Sequence, residues 1–340
     1  MKYTKRRIFY FALIVLLAFT LSTFQLPYYI YKPGNADPLD QIVEVDGGSK
    51  SKGDMYLVTV SGGQATPIQY LWAKVLSYHE IQPLEEVRPK GMTNEEYRHA
   101  QLKMMENSQE SSTVVAYEAA NKEIKIEYNG VYVVSVRDGM PAEGKLEMGD
   151  HILGIDGQTI NEADDLINYI EQKQAGDQIS LDIIRDDESL NIDLTLGTFQ
   201  EMDNKVGMGI ELVTNRNISV SPELHFSSGN IGGPSAGLMF ALEIYDQLIP
   251  EDLTKGYQII GTGALDYNGN VLRIGGIDKK VVAADKAGCE IFFAPYEGGA
   301  KNSNYELAKK TAMEIGTEME IVPVDTFHEA VTYLEELPDK

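Results

Sequence analysis

The sequence has little of the chemistry that cross-links a chain or binds a metal. Cys289 is its only cysteine, which excludes a disulfide within the chain. It precedes an apolar stretch, so we expect a small core residue rather than a reactive thiol. The five histidines are scattered without the short spacings typical of metal ligands. The sequence therefore predicts no metal site and no cofactor.

Positive charge is also scarce, because the formal net charge of the 340 residues is −23. No basic stripe is present that could displace phosphate counterions, so we expect no nucleic-acid partner. A Gly-x-x-x-x-Gly-Lys-Ser/Thr motif is absent too. The sequence thus lacks the phosphate-binding loop of an ATP-driven unfoldase.

The N-terminal segment contrasts with the rest of the chain. Four basic residues (Lys2, Lys5, Arg6 and Arg7) precede an almost uninterrupted apolar run at residues 8–24, and Tyr28, Tyr29 and Tyr31 follow. Extended to Ile30, the run is long enough to span a bilayer, with the tyrosines as an interfacial belt. The positive-inside rule puts the N-terminus in the cytoplasm and the remainder outside.

A cleaved signal peptide is the alternative for this segment. Small residues are present, but they form no clear Ala-x-Ala cleavage site. The apolar run is also long for a signal peptide. We therefore expect a retained single-pass anchor.

A serine and a lysine are the strongest chemical signal. Ser235 lies in the Gly-Gly-Pro-Ser-Ala-Gly motif at residues 232–237, and Lys280 follows 45 residues later. Pro234 suits the first position of a helix, and the apolar residues after it keep helical spacing. Ser235 is then expected at a helix N-terminus, where unpaired N–H groups favour a developing oxyanion.

Lys280 is predicted to be the base. On its predicted helix it shares a face with Ile277 and two alanines, whereas its neighbour Lys279 shares a face with a second lysine. Burial among small apolar side chains lowers the pKa of a lysine and so favours the neutral amine that can take a serine proton.

Two other interpretations of Ser235 are open at this point. Residues 233–237 also satisfy the Gly-x-Ser-x-Gly nucleophile elbow, which needs a strand directly before the serine and a later Asp and His. Residues 227–232 instead predict a loop, and only His328 lies downstream. A serine at a helix start can also be a simple N-cap.

The middle of the chain resembles a PDZ domain. Its motifs are Gly130-Val131-Tyr132-Val133, Pro141-Ala142, a Gly-Asp-x-Ile core at 149–152 and an Asp-Gly hairpin signal at 156–157. The resemblance implies that Gly130, Val131, Tyr132 and Val133 form the carboxylate-binding loop and strand. A peptide would add beside residues 131–134, against a predicted helix at 164–172. A PDZ domain that docks only on its own protease domain is the alternative.

Residues 261–276, with their Gly-Thr-Gly, Asn-Gly and Ile-Gly-Gly motifs, and residues 291–295 follow the order of the proteolytic domain of Lon proteases. The resemblance implies that Ser235 is the nucleophile, Lys280 the general base and Thr262 an auxiliary residue near the lysine. It also implies a ring-shaped homo-oligomer. Lon proteases have acidic residues where Gly232 and Ala264 stand. Over almost the whole chain, the likeness is closest to the membrane-anchored Lon-like PDZ proteases of Gram-positive bacteria.

These observations predict an α+β protein with an N-terminal transmembrane helix, a β-rich PDZ domain and a Lon-type α/β proteolytic domain. We expect an anchor at 1–31, an extracytoplasmic α/β segment at 32–121 that begins the Lon-like domain, a PDZ domain at 122–200 and the rest of the Lon-like domain at 201–340. The expected function is an ATP-independent serine endopeptidase for short or unfolded exported peptides, which the PDZ domain recruits. A surface-tethered PDZ scaffold without activity is the alternative.

Overall fold

The structure, a computed structural model, describes residues 2–88, 92–199 and 205–340, with the side chains of residues 2–4 left out. The described chain forms two compact units. Unit 1 joins Met1–Glu123 to Val220–Lys340, and unit 2 is Ile124–Ser219. The predicted mixture of helices and strands is confirmed. The predicted boundary between residues 200 and 201 lies outside the described residues.

The helices are named here in chain order. They are α1 Lys2–Thr23, α2 Pro67–Ala73, α3 Leu84–Val87, α4 Asn94–Ala119, α5 Ala163–Glu171, α6 Gly237–Leu248, α7 Ile277–Ala287, α8 Asn304–Ile315 and α9 Phe327–Glu336.

The strands divide between the two units. The strands of unit 1 are β1 Tyr28–Pro38, β2 Val43–Val45, β3 Asp54–Gln64, β4 Glu80–Pro83, β13 Leu224–Phe226, β14 Gln258–Gly261, β15 Ala264–Leu265, β16 Val271–Leu272, β17 Ile291–Pro295 and β18 Glu320–Val324. The remaining strands, which lie wholly or mainly in unit 2, are β5 Glu123–Val136, β6 His151–Ile155, β7 Gln158–Thr159, β8 Gln178–Arg185, β9 Glu188–Thr195, β10 Gly197–Phe199, β11 Lys205–Gly207 and β12 Ile210–Ser221.

The N-terminal helix is long and apolar enough to cross a membrane. Its 22 residues rise about 33 Å, and none of the apolar window Lys5–Thr23 is buried in the protein. The helix ends at Thr23, and the tyrosines that follow enter β1. The predicted extension to Ile30 is therefore wrong, whereas the interfacial belt of tyrosines stays a prediction. Pro27 cannot continue a helix as a donor, and the Tyr-Tyr-Ile-Tyr sequence favours a strand.

A six-stranded mixed sheet organises unit 1, in the order β18-β17-β14-β3-β1-β4. Strands β18, β17, β14 and β3 run parallel to one another. Strand β1 is antiparallel to both β3 and β4. Parallel strands require crossover connections, which the helices between them supply. The sheet is thus built from both ends of the sequence, with β3 from the first half paired to β14 from the second.

Helices cover both faces of this sheet. Ile259 and Ile260 are adjacent in β14 and point to opposite faces, yet both are fully buried. Ile260 packs in one core with Val281 of α7 and Ala308 of α8. Strand β14 also contacts α6. The helices that carry the serine turn and the lysine are therefore both fixed to the same sheet.

Helix α4 continues through a serine-rich segment at residues 108–112. It begins with a capping box at Thr93 and Glu96 and runs to Ala119. Ser108 and Ser112 inside it are buried, and their hydroxyls donate to backbone carbonyls. Their small size lets α4 pack closely against α6, which α4 contacts along its length.

A buried amide holds the loop that leads into α7. The Ile274 N–H donates to Asn304 Oδ1 at 2.8 Å, and Asn304 Nδ2 donates to the Ile274 carbonyl at 3.1 Å. Asn304→Ala leaves both backbone groups unpaired, so we expect the free energy of unfolding to fall by about 1–3 kcal/mol. Urea unfolding at equilibrium measures this loss. Asn302→Ala, which removes an exposed amide two residues away, is the control and should change nothing.

Candidate functional site

The turn that carries Ser235 lies immediately before α6 rather than inside it. Helix α6 begins at Gly237 with Ala236 as its N-cap, so the expectation that Pro234 opens the helix is wrong. Position 237 requires a glycine because α6 lies very close to its neighbours there. A Cβ at Gly237 would lie 2.8 Å from both the backbone nitrogen and the Cβ of Leu265. Ser235 still sits within one turn of the helix N-terminus.

The backbone of Ser235 is held by the segment that follows β14. Its carbonyl accepts from the Thr262 hydroxyl at 2.9 Å and from the Gly263 N–H at 3.1 Å. The Gly263 carbonyl in turn accepts from the Leu238 N–H at 3.1 Å. These three bonds fix the serine turn to the end of a buried strand.

Lys280 lies in the first turns of α7 and reaches Ser235 directly. Its Nζ is 2.7 Å from Ser235 Oγ and 2.7 Å from Thr262 Oγ1. Lys280 is 3% exposed and Thr262 is fully buried. Burial away from water disfavours the ammonium and lowers the pKa of Lys280 to about 7. The three residues that the sequence nominated are thus brought together by three different elements.

The neighbouring lysine has a different environment although it is equally buried, which the sequence did not indicate. Lys279 Nζ lies 2.6 Å from Glu80 Oε2 and 3.2 Å from Asp278 Oδ1. The hydrogen bond from Lys279 lowers the pKa of Glu80. Lys279 therefore has carboxylate partners for a charged ammonium, whereas Lys280 contacts hydroxyls, which can also accompany a neutral amine.

Helix α4 supplies supports that sequence analysis missed. Ser108 Oγ donates to the Pro234 carbonyl at 3.0 Å, and Ser112 Oγ donates to the Gly237 carbonyl at 2.8 Å. The Gln101 carbonyl accepts from the Gly233 N–H at 2.8 Å. The helix therefore holds the serine turn on both sides of Ser235. The only signal in the sequence was the unusual run of small hydroxyl residues within a helical segment.

Gly232 departs from the acidic residue of Lon proteases for a steric reason visible here. A Cβ on Gly232 would lie 2.8 Å from Gln101 Cβ and 3.2 Å from the Gln101 carbonyl carbon. A larger side chain would displace α4.

Burial is the cause of the lowered Lys280 pKa, with no charged group contributing.

The nucleophile-elbow interpretation does not fit the described structure. The strand β13 ends at Phe226, and residues 227–232 form no strand. His328 is exposed on α9, while the hydroxyl of Ser235 has Lys280 as its partner. The serine does not cap α6 either, since the helix has no side-chain cap.

A cleft of about 780 Å³ opens onto the serine and lysine. Residues 57–60 of β3, residues 230–236, residues 273–275 and Gln101 contribute to its lining. Strand β14 pairs with β3 only from Asp54 to Leu57. Among the described residues, the edge of β3 that faces away from β1 is consequently unpaired from Val58 to Val60, where it lines the cleft.

In unit 2 the predicted peptide-binding strand has no free edge. The sheet order is β12-β5-β6-β8-β9, so β5 lies between two strands. Val131 and Val133 point into the core, and Tyr132 stacks on His151 with ring centroids 4.3 Å apart. A peptide therefore cannot add beside residues 131–134. The assignment of Gly130, Val131, Tyr132 and Val133 to the carboxylate site is corrected by this topology.

A cavity lies instead between α5 and the start of β12. Strand β12 ends the sheet order, and a cavity of about 340 Å³ separates its residues 210–212 from Leu166, Ile167 and Ile170 of α5. The loop before β12 reads Gly-Met-Gly-Ile at 207–210. Gly209 has φ +86°, and its carbonyl accepts from the Arg137 N–H at 2.8 Å. The sequence signal was this pair of glycines, Gly207 and Gly209, which lies about 75 residues after Gly130.

One group of possible ligands was not apparent from histidine spacing. Strands β2 and β13 bring together Asp46, Glu223 and His225, whose ligand atoms lie within 4.8 Å of one another. All three are exposed, and His225 Nε2 is 3.5 Å from Asp46 Oδ1. Exposed acidic groups of this kind are common in proteins without a bound ion.

Two known families match this chain. Residues 113–196 match the PDZ domain, and residues 181–335 match the Lon protease (S16) C-terminal proteolytic domain. The predicted PDZ and Lon-type folds, and the resemblance to a Lon-like protease with a PDZ domain, are therefore confirmed. The predicted limits of the domains stay predictions.

Individual relatives match one part each. The Lon protease of Campylobacter jejuni is 35% identical over 102 residues, which are 30% of this chain and 12% of the relative. A probable periplasmic serine endoprotease DegP-like of Pseudomonas fluorescens is 36% identical over 92 residues, which are 26% of this chain and 19% of the relative. The chain thus spans less than a fifth of the length of either relative.

Among solved structures, the PDZ domain of the SdrC-like protein from Listeria monocytogenes is 36% identical. The match covers 26% of this chain and 93% of that one, with a TM-score of 0.25.

The lowered Lys280 pKa predicts a specific pH dependence of stability. Between the folded pKa of about 7 and the ordinary lysine value, the unfolded state binds the extra proton. Raising the pH therefore stabilises the folded state by up to about 1.4 kcal/mol per unit. From pH 7 to 9 the free energy of unfolding should rise by about 2–3 kcal/mol relative to Lys280→Met, which should be the more stable protein at pH 7.

Urea unfolding at the two pH values measures both effects. Lys286→Met, on the exposed part of the same helix, is the control and should follow the parent protein. Equal pH dependence in the parent and in Lys280→Met would contradict a lowered Lys280 pKa.

Proposed function

Because the chain carries a PDZ domain together with a Lon-type proteolytic domain, we propose that it is a membrane-anchored serine endopeptidase with a Ser235–Lys280 dyad. The observation that carries the proposal is the 2.7 Å contact between Lys280 Nζ and Ser235 Oγ in a buried pocket. A neutral amine at this distance is positioned to accept the serine proton.

In the mechanism we infer, Ser235 Oγ attacks a peptide carbonyl as Lys280 takes its proton. The resulting ammonium protonates the leaving amine, and the neutral Lys280 then activates the water that hydrolyses the acyl-enzyme. Thr262 is proposed as a positioning residue, because its hydroxyl accepts from Lys280 and donates to the Ser235 carbonyl. Its contacts orient both members of the dyad.

The backbone of the serine turn supports a site for the oxyanion. Among the hydrogen bonds of the described residues, none is donated by the N–H of Ser235 or of Ala236. Both groups lie just before the N-terminus of α6, where the helix dipole favours negative charge. We propose that they stabilise the oxyanion of the tetrahedral intermediate.

The unpaired edge of β3 supports binding of an extended substrate. Residues 58–60 line the cleft and offer backbone donors and acceptors on the side where β14 has ended. A peptide that pairs with this edge gains backbone hydrogen bonds without a demand on its sequence. We therefore propose extended, unfolded or short segments of exported proteins as substrates, consistent with the absence of a phosphate-binding loop.

The groove of unit 2 is proposed to recruit these substrates. Strand β12 provides an edge for a peptide C-terminus, and α5 provides the apolar wall. The N–H groups of Met208 and Gly209, which donate no hydrogen bond among the described residues, would receive the terminal carboxylate. We propose this site in place of residues 130–133.

The proposed location is a membrane, with α1 as a single-pass anchor. Its length and apolar composition support this, as does the basic cluster that precedes the apolar run. That cluster favours a cytoplasmic N-terminus and an extracytoplasmic catalytic domain. A homo-oligomer, as in Lon proteases, stays part of the proposal on resemblance alone.

Cleavage of unstructured peptides by the full chain tests the dyad. We expect Ser235→Ala and Lys280→Met each to lower kcat/KM by at least about 10³-fold, because neither residue can act without the other. In the parent, kcat/KM should rise with pH through about 7 as Lys280 loses its proton. Mass spectrometry of the products gives the rates and the cleaved bonds.

The matched control for this experiment is Lys279→Met, which removes the neighbouring buried lysine. It should retain activity if folded, with stability checked separately because its ion pair with Glu80 is lost. Cleavage that persists in Ser235→Ala would contradict the assignment, as would a pH profile that Lys280→Met leaves unchanged.

Binding of a C-terminal peptide library tests the proposed groove. Ile167→Asp places a carboxylate in the apolar wall and should weaken binding about 10-fold or more. Met148→Asp makes the same change at an exposed site of unit 2 and should have no effect. Tyr132→Ala tests the strand predicted from the sequence. Loss of binding in Tyr132→Ala but not in Ile167→Asp would contradict the corrected groove.

A further inference from the structure

An apolar stripe runs along α2 and the turn after it. It consists of Ile68, Leu71, Trp72, Val75 and Leu76, whose spacing places them on one helical face. Their exposed fractions range from 43% to 79%, with Val75 the highest. The opposite side of α2 is the one that packs on the protein, since Ala73 is buried in a small core with Ile30 and Ala65. Most of the stripe therefore faces away from unit 1, although Trp72 and Leu76 also line a cavity beside β1 and β3.

The position of α2 relates the stripe to the N-terminal helix. Helices α1 and α2 contact each other. The Leu26 N–H donates to the Ala65 carbonyl at 2.8 Å, and Gln64 Nε2 donates to the Leu26 carbonyl at 3.0 Å. Leu26 lies three residues after the last residue of α1, and Ala65 two residues before the first residue of α2. The start of α2 is consequently fixed beside the point where the apolar helix ends.

The composition around the stripe matches a membrane interface. Trp72 is the only tryptophan of the chain, and Lys74 Nζ lies over the ring of Tyr70 at 4.7 Å from its centroid. Aromatic and lysine side chains favour the headgroup region, where one end is apolar and the other hydrated. Phe24, which directly follows α1, is a further apolar side chain that is 58% exposed.

We propose that α2 is an interfacial helix that inserts its apolar stripe into the outer boundary of the bilayer spanned by α1. This inference rests on the proposed membrane anchor. Lipid is the occupant that continuity with α1 favours, because a bilayer around α1 necessarily ends next to α2. Helices of this kind bury their apolar face about 5–10 Å into the headgroup and acyl boundary.

The consequence for the catalytic cleft is a fixed orientation at the membrane. Strand β3 carries the cleft-lining Val60 and leads to Gln64 and then α2. The four to six residues that lead from Val60 to the start of α2 span about 13–20 Å when extended. The cleft is therefore held close to the bilayer surface, so the accessible cleavage sites are those in membrane-proximal segments of a substrate.

The single tryptophan makes the test direct. The full chain is reconstituted in phosphatidylcholine vesicles, whose zwitterionic lipid keeps the strongly negative protein charge from deciding the result. Flotation with the vesicles first establishes whether α1 anchors the chain. Trp72 emission is then recorded with lipids brominated near the headgroup end or near the methyl end of their chains.

We expect blue-shifted emission and stronger quenching by the bromines nearer the headgroup. Leu71→Ser with Val75→Ser should shift the emission towards that of a hydrated indole and reduce the quenching. Met313→Ser, which alters an equally exposed apolar residue on α8, should leave both unchanged.

Floating protein whose Trp72 is not quenched by either lipid would overturn the interfacial helix while leaving the anchor intact. Blue-shifted but unquenched emission that depends on the protein-to-lipid ratio would assign the stripe to a second copy of the chain and also overturn it. Failure to float would refute the anchor itself. None of these results bears on the dyad, which peptide cleavage tests separately.

Discussion

The burial of one lysine amine is the constraint on which the proposed chemistry depends. In water the amine of Lys280 would be protonated at neutral pH and could not accept a proton from Ser235. Burial lowers its pKa to about 7. The hydroxyls of Ser235 and Thr262 give the amine hydrogen-bond partners. Unlike a carboxylate, they do not favour its charged form. The adjacent Lys279 illustrates the difference, because its equally buried amine meets Glu80 and Asp278.

Several elements of unit 1 hold this site in place. Strand β14 ends at Gly261, so that Thr262 and Gly263 reach the Ser235 carbonyl. Helix α4 holds the serine turn from the other side through Ser108 and Ser112. Destabilisation from a buried amine is the expected cost of this arrangement, because functional sites retain groups that a stability optimum would exclude. Rigid support compensates by placing the reacting atoms within hydrogen-bond distance.

The fold and the three candidate residues could be predicted because their signals are local. Ser235, Thr262 and Lys280 sit in short glycine-containing motifs, and the Asp156-Gly157 hairpin follows from the positive φ of both residues. The start of α6 was placed too early, because the close approach of Gly237 to Leu265 depends on packing. The end of the apolar helix was placed too late, since β1 forms by pairing with β3, which is distant in sequence.

The peptide-binding strand shows most clearly what one sequence could not reveal. Residues 130–133 and 207–210 both combine glycine with β-branched or aliphatic residues, so local pattern alone does not separate them. The sheet order distinguishes the two segments, because β5 lies between two strands and β12 lies at the edge. The supports from α4 were hidden for a related reason: Ser108 and Ser112 act on a turn more than 120 residues away.

Labelling by a serine-directed electrophile tests the central claim most directly, because it reports the nucleophile without the need for a known substrate. The full chain is treated with a fluorophosphonate across a pH range, and the adduct is located by mass spectrometry. We predict an adduct on Ser235 whose rate of formation rises through pH about 7 and is lost in Lys280→Met. An adduct on another residue, or labelling of Ser235 that is independent of both pH and Lys280, would contradict the account.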